Sequence, residues 1–394
     1  MTQIDYHKAL VKMGEEARQA ARKLAVMRGA QKNRALEAIA DQLLHNQDPI
    51  LNENSIDLVK GREKNLSKAL MDRLSLNAKR VKKMAKGLQA LVNLDDPIDR
   101  VEATWIRPNG LKIQKTRVPI GVIGIIYEAR PNVTADAAGL CLKAGNAVFL
   151  RGGSEAYNSN KAIVAAMKEG LRQSKLSENT IQFVPWTDRA AVDELLHLKD
   201  YIDLIIPRGG ESLIEKVAEN SSIPVIKHYK GVCHVYVDKD VDQAMALDIV
   251  ENAKCQRPGV CNAMETLLIH SDIAEAFVPK VVERLIKQGV ELRGDETFCR
   301  LCSEAKPAEE ADWSTEYLDL ILSVKIVPSS EEAVKHISKY GTAHSDAIVT
   351  TNPNAATFFA DNVDSAAVYV NASTRFTDGA EFGMGAEIGI STDR

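Results

Sequence analysis

The residues best suited to covalent chemistry lie at positions 256–265, which read QRPGVCNAME. Apolar residues repeat at helical spacing over the preceding positions 241–254, and positions 266–269 form a short apolar run typical of a strand. Cys261 is therefore expected in a tight Pro-Gly loop between two rigid elements. A thiol acts as a nucleophile when a substrate can reach it and when cations or backbone N–H groups favour the thiolate. Arg257 supplies a candidate cation, so the loop predicts a nucleophile, although many free cysteines are only buried side chains.

The other cysteines offer one rival nucleophile and one rival site. Cys255 lies six residues before Cys261, and we place it in the same loop. Cys299 and Cys302 form a C-x-x-C pair that could bind zinc or carry out redox chemistry, but no second pair at zinc-ligand spacing accompanies it. We interpret this pair as coincidental and predict no metal site. Residues 1–20 form a charged amphipathic pattern without an apolar centre, so we expect a cytoplasmic protein with reduced thiols.

The composition argues against several classes of function. With 26% charged residues and a net charge of −4, the chain lacks the basic footprint of nucleic-acid-binding proteins. No apolar run approaches the roughly 20 residues of a membrane-spanning helix. We therefore predict neither a nucleic acid nor a membrane partner. The length of 394 residues exceeds what one hydrophobic core usually organises, so we expect two or more domains.

The first part of the chain carries helical patterns followed by a hairpin signal. Apolar residues three and four positions apart predict helices over residues 9–26, 31–45 and 74–92. Residues 104–113 then alternate around an Asn-Gly pair, which is the strongest short signal for a β-hairpin. Because an isolated two-stranded ribbon is marginally stable, we expect it to pack on another element or on another subunit.

From residue 118 onward, short apolar runs alternate with helical patterns. The runs predict strands over residues 122–126, 147–150, 181–184 and 204–206. The patterns between and after them predict helices over residues 133–142, 160–173, 190–196 and 212–219. Such an order indicates a parallel sheet covered by helices on both faces. A second α/β region begins near Gly231, with a helix over 273–287 and strands over 233–237, 320–327 and 347–350.

Three loops are expected at the carboxyl ends of these strands, where ligands of parallel sheets bind. Arg151-Gly152-Gly153-Ser154 and Arg208-Gly209-Gly210 each place a cation and glycines just before a helix. Free N–H groups and the helix dipole favour a phosphate there. Neither loop matches a dinucleotide or P-loop motif, and many glycine turns only connect elements, but two of them in one sheet favour a nucleotide. In the third loop, Asn132 either donates to an oxyanion or caps the next helix.

Three longer motifs resemble those of a known family. They are YEARPNVTADAAGLCLKAGNAVFLRGG, QRPGVCNAMETLL and EFGMGAEIGIST, and they are similar to signatures of the gamma-glutamyl phosphate reductases in the aldehyde dehydrogenase superfamily. The resemblance covers the whole chain and implies an aldehyde dehydrogenase-like α/β fold in three parts. Those parts are an NADP-binding parallel-sheet domain (1–103 and 118–231), an α/β catalytic domain with the thiol (232–365), and an oligomerisation hairpin with a C-terminal segment that returns to the cofactor domain (104–117 and 366–394).

The resemblance also implies an activity and partners. The expected reaction is the NADPH-dependent reduction of L-glutamyl 5-phosphate to L-glutamate 5-semialdehyde with release of phosphate, through a cysteine thioester. This is the second step of proline biosynthesis. The family further implies a homo-oligomer, most simply a dimer, and functional coupling to glutamate 5-kinase.

Individual residues match positions with known roles in the family. Cys261 falls at the nucleophile and Asn132 at the oxyanion donor. Cofactor contacts are implied for Arg151, Ser154, Gly209, Gly210 and Glu316; the cation and the neutral serine suit the 2′-phosphate of NADP(H). Phe382 and Gly383 would line the site. Three further residues are candidates, from their charge alone, for binding the amino acid end of the substrate: Arg130, Arg257 and Arg375.

The chain departs from the wider superfamily in one informative place. Hydrolytic aldehyde dehydrogenases carry a glutamate base near the position where this chain reads IKHYKG, at residues 226–231, and no acid stands there. Since a base that activates water would hydrolyse the thioester, its absence fits reduction. His228 could replace that base, but we interpret it as structural. Members of the family also continue beyond the equivalent of Arg394, so we expect a weaker oligomer than a longer relative would form.

Two alternatives remain open from the sequence. One is an aldehyde dehydrogenase, or an acylating aldehyde dehydrogenase, that acts on another carbonyl substrate. The other is a non-catalytic nucleotide-binding scaffold, against which the intact Cys261 loop argues.

Overall fold

The computed structural model describes residues 5–227, 230–384 and 386–392 of the chain. It divides into two units. The first comprises Met1–Lys227 and Gly385–Gly389, and the second comprises His228–Met384 and Ile390–Arg394. Among the described residues, no helix is both long and apolar enough to cross a membrane.

Five helices open the first unit: Tyr6–Ala25 (α1), Gly29–His45 (α2), Gln47–Glu63 (α3), Lys68–Leu74 (α4) and Ala78–Val92 (α5). The predicted helices over 9–26 and 31–45 are confirmed as α1 and α2. The predicted helix over 74–92 begins too early, because α4 ends at Leu74 and the Asn77 side chain caps α5 by accepting from the Arg80 N–H at 2.9 Å. α3 escaped prediction because half of its buried face is polar, with Asn54 and Asp57 beside Ile50 and Gly61.

The predicted hairpin is confirmed as an antiparallel ribbon of two strands, Val101–Ile106 (β1) and Lys112–Thr116 (β2). Its turn is closed by the Arg107 N–H, which donates to the Leu111 carbonyl at 2.9 Å, and Gly110 takes a φ of 84° that favours glycine. Every residue of β1 is exposed. The expectation that the ribbon packs on another subunit stays a prediction.

The rest of the first unit is a four-stranded parallel sheet with helices between its strands. In chain order the elements are Val122–Tyr127 (β3), Pro131–Lys143 (α6), Ala147–Gly152 (β4), Tyr157–Gln173 (α7), Ile181–Phe183 (β5), Arg189–Leu195 (α8), Leu204–Arg208 (β6) and Glu211–Asn220 (α9). The strand order is β5-β4-β3-β6, and the neighbouring strands pair in parallel, which confirms the predicted parallel sheet. Tyr127 pairs with Gly152 on one side and Arg208 on the other, so three strands end at the same edge.

The second unit is built on a seven-stranded sheet of order β10-β9-β11-β8-β7-β12-β13, in which the recorded pairs are parallel. In chain order its elements are Cys233–Val237 (β7), Gln243–Cys255 (α10), Met264–His270 (β8), Ser271–Lys287 (α11), Glu291–Gly294 (β9), Glu296–Leu301 (α12), Lys306–Pro307 (β10), Ile321–Val327 (β11), Ser330–Tyr340 (α13), Ser345–Val349 (β12), Pro353–Asn362 (α14) and Ala367–Val370 (β13). This confirms the predicted second α/β region. The central strand β8 is buried over all of its residues, which gives the preceding loop a rigid support.

Candidate active site

The Cys261 loop occupies residues 256–263, between the end of α10 and the start of β8. The predicted placement of this cysteine between a helix and a strand is therefore confirmed, and its side chain is partly buried. The Cys233 thiol donates to the Cys261 carbonyl at 3.2 Å. A Cβ on Gly231 would lie 1.7 Å from the same carbonyl oxygen, so only glycine leaves room for the backbone of Cys261.

The rival cysteines have surroundings that suppress the thiolate. Cys255 was expected in the loop, but it is the last residue of α10, and burial raises its pKa to about 11. Burial also raises the pKa of Cys299 and of Cys302, and the Cys299 thiol donates to the Gly294 carbonyl at 3.4 Å. Within the described parts of the chain, no group of three His, Cys, Asp or Glu side chains could hold a metal ion.

Arg375 contacts the residue that follows the candidate nucleophile. Its guanidinium donates to the Asn262 side-chain oxygen and, through Nε, to Gln256 Oε1 at 3.0 Å. Asn262 is held in turn, because its Nδ2 donates to the Thr377 carbonyl at 2.9 Å. Burial, followed by the nearby charge of Arg257, lowers the pKa of Arg375. Arg375 thus braces the loop as well as presenting a positive charge beside it.

A small cavity lies next to this guanidinium. It has a volume of about 150 Å³ and is lined by Asn252, Gln256, Arg375, Phe376, Asp378 and Glu381. One cation and two carboxylates therefore face the same space. Of the other candidates, Arg257 is exposed, Phe382 is 47% exposed with its ring centroid 6.4 Å from that of Tyr369, and Gly383 adopts a φ of 70°.

Glu316 lies close to the thiol loop in the second unit. Its Oε1 accepts from the Gly231 N–H at 2.9 Å, and Gly231 is the residue that packs on the Cys261 backbone. The buried Lys254 and Glu265, which flank the loop, form an ion pair of 2.6 Å that sequence reasoning missed. Both charges were visible in the sequence, but no periodic pattern links a helix end to the strand that follows a loop. His228 lies outside the described residues.

In the first unit, Arg151 is the second-last residue of β4, at the edge of the sheet where β3, β4 and β6 end. Its Nη2 donates to the Thr187 carbonyl at 2.9 Å, while its Nε is buried without a hydrogen-bond partner among the described residues. Burial lowers the pKa of this guanidinium. Ser154 is exposed and begins a single turn of 3-10 helix, Ser154–Ala156, just beyond the strand. A buried donor that lacks an acceptor is what an anionic ligand would satisfy.

The glycine loop before α9 already holds a carboxylate. The Gly210 N–H donates to Glu128 Oε2 at 2.8 Å, and a Cβ on Gly209 would lie 2.6 Å from that oxygen. Gly210 is the N-cap of α9, where the helix dipole favours negative charge. The structure therefore shows that this loop accommodates an anionic group, here the side chain of Glu128.

Asn132 does not cap the helix that follows the third loop. It lies inside α6, its Nδ2 donates to Asp136 Oδ2 at 3.0 Å, and the N-cap position belongs to Arg130. The capping interpretation is therefore wrong. α6 follows β3, whose last residue, Tyr127, pairs with Gly152 and Arg208. Burial raises the pKa of Asp136.

A model of a known family matches most of the chain, including the Cys261 loop. Residues 5–309 match the model described as the aldehyde dehydrogenase family. The chain belongs to the aldehyde dehydrogenase family. Enzymes of this family are oxidoreductases that use a nicotinamide cofactor, and the parallel sheets with a small antiparallel ribbon agree with their fold. The predicted family and fold class are thus confirmed.

Individual relatives narrow the assignment within the family. The gamma-glutamyl phosphate reductase of Caldanaerobacter subterraneus subsp. tengcongensis is 57% identical over 380 residues, which are 96% of this chain and 92% of the relative. The gamma-glutamyl phosphate reductase of Moorella thermoacetica is 56% identical over 381 residues, which are 97% of this chain and 91% of the relative. The crystal structure of gamma-glutamyl phosphate reductase from Thermotoga maritima superposes with a TM-score of 0.95 at 48% identity, covering 98% of this chain and 93% of that one.

Proposed function

We propose that this chain catalyses the NADPH-dependent reduction of L-glutamyl 5-phosphate to L-glutamate 5-semialdehyde with release of phosphate, in the second step of proline biosynthesis. The observation that carries the proposal is the identity of 53 to 57% with gamma-glutamyl phosphate reductases over almost the whole chain. The intact Cys261 loop supports it, since a thiol held between a helix and a buried strand can accept an acyl group.

The chemistry divides into two steps, acylation of the Cys261 thiol and reduction of the resulting thioester. The Cys261 thiolate attacks the acyl carbon, a C–S bond forms, and the C–O bond to the phosphate breaks, so that phosphate leaves with the electron pair. When bound, the cofactor supplies the hydride that converts the acyl group to the aldehyde. The C–S bond then breaks, the aldehyde is released, and the Cys261 thiolate is regenerated for another cycle. We assign Asn132 and the Cys261 backbone N–H as donors to the carbonyl oxygen, a contribution of about 3 kcal/mol per donor in other enzymes.

The residues of the first unit fit NADP(H). The buried Arg151 Nε lacks an acceptor among the described residues, and Ser154 beside it carries no negative charge that would repel a phosphate. We assign both to the 2′-phosphate. Gly209 and Gly210 would hold the diphosphate, because the Gly210 N–H already accommodates a carboxylate. We also assign Glu316 as an acceptor for a ribose hydroxyl.

The cavity beside Arg375 suits the amino acid end of the substrate. That end carries a carboxylate and an ammonium group. Arg375 can pair with the carboxylate, and the same cavity of about 150 Å³ offers Asp378 and Glu381 to the ammonium. We keep Arg257, exposed near Arg375, as a second partner for the substrate's negative charges. Arg130, Phe382 and Gly383 remain candidates for lining the site.

The setting of the enzyme follows from the same assignment. We place it in the cytoplasm with reduced thiols, where glutamate 5-kinase would supply the unstable acyl phosphate to it. We propose a homodimer, supported by the exposed ribbon of β1 and β2. We propose the partition of the chain at 1–103 and 118–231, 232–365, and 104–117 with 366–394 as the functional division.

A comparison of substrates tests the proposal. The purified chain is assayed in the reverse direction with glutamate 5-semialdehyde, phosphate and NADP⁺, and in parallel with acetaldehyde, with and without coenzyme A. We expect phosphate-dependent turnover of the semialdehyde and kcat/KM about 100-fold or more lower for acetaldehyde, because acetaldehyde lacks the charged groups that the site pairs with. Turnover of acetaldehyde that depends on coenzyme A would instead identify an acylating aldehyde dehydrogenase. Cofactor binding without any turnover would identify a scaffold.

A further inference from the structure

A buried ion pair joins the two ends of the Cys261 loop. Lys254 is the residue before the last in α10, and Glu265 is the second residue of β8. The Lys254 Nζ lies 2.6 Å from Glu265 Oε2, and neither side chain is exposed. The pair therefore connects the helix that enters loop 256–263 to the strand that leaves it.

The second oxygen of Glu265 extends this connection to another segment. Oε1 accepts from the Leu318 N–H at 3.3 Å. Leu318 has a φ of 54°, which lies in the left-handed region that leucine rarely adopts. Such a backbone conformation persists only where surrounding contacts stabilise it. Its carbonyl oxygen would lie 3.6 Å from a Cβ on Gly259, so it borders the Cys261 loop directly.

The same segment reaches the thiol residue from its other side. Two positions before Leu318, Glu316 accepts from the Gly231 N–H at 2.9 Å. Gly231 packs on the Cys261 carbonyl so closely that any side chain would collide with it. Residues 316–318 thus meet the Cys261 loop both at its base, through Glu265, and next to the thiol, through Gly231.

The pair is poorly suited to stabilising the fold. Two fully buried charges lose their hydration, and apolar residues of similar size usually stabilise a protein as well or better. In agreement, burial raises the pKa of Glu265 to about 7 and lowers that of Lys254. What the pair provides instead is a fixed geometry between three segments of the second unit.

We propose that the Lys254–Glu265 pair is a positioning device that holds the Cys261 loop in register with residues 316–318. The inference rests on the proposed function, in which the thiol carries the acyl group and Glu316 holds the cofactor ribose. Because both side chains are fully buried, Lys254 and Glu265 act through the backbone of the loop. A thiol displaced by about 1 Å can lose roughly 100-fold in rate, so this register matters for turnover.

The test removes both charges together and retains their volume, in Lys254→Met/Glu265→Leu. We expect a melting temperature close to that of the wild type, because no unpaired charge is left buried. Amide hydrogen exchange should become at least about 10-fold faster in residues 256–263 and at Leu318, where an acceptor is lost. We expect kcat to fall roughly 10- to 100-fold while the KM for NADPH changes little.

Two controls separate positioning from general damage. Arg284→Met/Asp248→Asn removes an exposed pair that also begins on α10, with Arg284 Nη1 2.5 Å from Asp248 Oδ1, and should change neither exchange nor kcat. Lys254→Met/Glu265→Gln also removes both charges but keeps an acceptor for the Leu318 N–H, so it should retain slow exchange there.

Unchanged exchange in the loop together with unchanged kcat in the charge-free variant would overturn the proposal. A lower melting temperature with faster exchange throughout the second unit would also overturn it, in favour of a purely stabilising role. If the wild type fails to turn over glutamate 5-semialdehyde, the proposed function fails. The exchange measurement needs no substrate and still decides whether the pair fixes the loop.

Discussion

At the scale of single residues, Cys261 differs from the other cysteines in the surroundings of its thiol. Cys141, with a pKa near 12, and Cys255, with a pKa near 11, are disabled by burial. Cys261 instead occupies a loop that presents Arg257 to solvent and is braced by Arg375 through Asn262. Sequence spacing alone left Cys255 as a rival, because it could not tell the last residue of α10 from the first residue of the loop.

The choice of cofactor is testable at Arg151. Arg151→Ala removes a charge-assisted contact worth about 1.5 to 3 kcal/mol if the guanidinium reads the 2′-phosphate. NADPH should then bind roughly 10- to 100-fold more weakly, while the affinity for NADH changes much less. Fluorescence titration of both cofactors checks this, with Arg172→Ala, in the last turn of α7, as a control. Equal losses for the two cofactors would remove Arg151 from this role.

A second residue prediction concerns the carboxylate of Glu128. Since it accepts from the Gly210 N–H, a cofactor diphosphate that binds at the start of α9, as proposed, would have to displace it. Glu128→Ala should therefore tighten NADPH binding by about fivefold, the equivalent of about 1 kcal/mol for one competing hydrogen bond. Isothermal titration measures the change, and Glu215→Ala, further along α9, should have none. Weaker binding in Glu128→Ala would show that the side chain contacts the cofactor instead.

At the scale of elements, polar contacts explain what periodicity did not reveal. α3 carries Asp57, whose carboxylate accepts from the Ser159 N–H at 2.7 Å and from the Ser159 hydroxyl at 2.6 Å. These contacts hold the first turn of α7, which follows the end of β4 with Arg151 and the turn of 3-10 helix with Ser154. An apolar stripe predicts α1, α2 and the buried strands, but a helix that packs through carboxylate and amide groups resembles a solvated helix in sequence.

The buried face of α13 makes stability depend on pH. His336 lies among aromatic rings, its two ring nitrogens lack partners among the described residues, and burial lowers its pKa to about 2. Between that value and the unfolded pKa of about 6.5, only the unfolded state binds a proton at this ring. The contribution of His336 is therefore intact above pH 6.5 and falls by roughly 1.4 kcal/mol per unit as the pH decreases.

Replacing this ring tests the sign of the effect. His336→Phe should flatten the loss of stability between about pH 6.5 and 4.5 in urea unfolding followed by circular dichroism. His45→Phe, at an exposed position at the end of α2, should leave the slope unchanged. The same slope in His336→Phe as in the wild type would contradict a neutral buried His336.

At the scale of the whole molecule, the alternation of apolar runs predicted the parallel sheet of the first unit and the presence of a second α/β region, and the three family motifs predicted the enzyme class. Contacts between segments distant in sequence were beyond that reasoning. The Lys254–Glu265 pair joins a helix to a strand, while the approach of Glu128 to Gly210 and the hydrogen bond from Gly231 to Glu316 join loops, and all three meetings depend on the folded backbone. Spacing identifies elements and family motifs, whereas side-chain partners need the tertiary structure.

The assembly prediction belongs to this scale as well. Trp105 is 43% exposed on β1, opposite Ile113 of β2, and a hairpin with apolar residues and open edges favours pairing with another chain. We expect a dimer whose dissociation constant rises at least about 10-fold in Trp105→Lys, with the melting temperature unchanged. Sedimentation velocity over a range of concentrations measures it. A wild type that is monomeric at every concentration would contradict the dimer.

The measurement that tests the central claim most directly is the turnover of Cys261→Ser beside Cys255→Ser. At neutral pH a serine hydroxyl is a far poorer nucleophile than a thiolate, so Cys261→Ser should lose the phosphate-dependent oxidation of glutamate 5-semialdehyde by at least about 1,000-fold. Its affinity for NADPH should stay near that of the wild type, because the assigned cofactor residues are unchanged. Cys255→Ser should remain active. Retained turnover in Cys261→Ser, with loss in Cys255→Ser, would contradict the account.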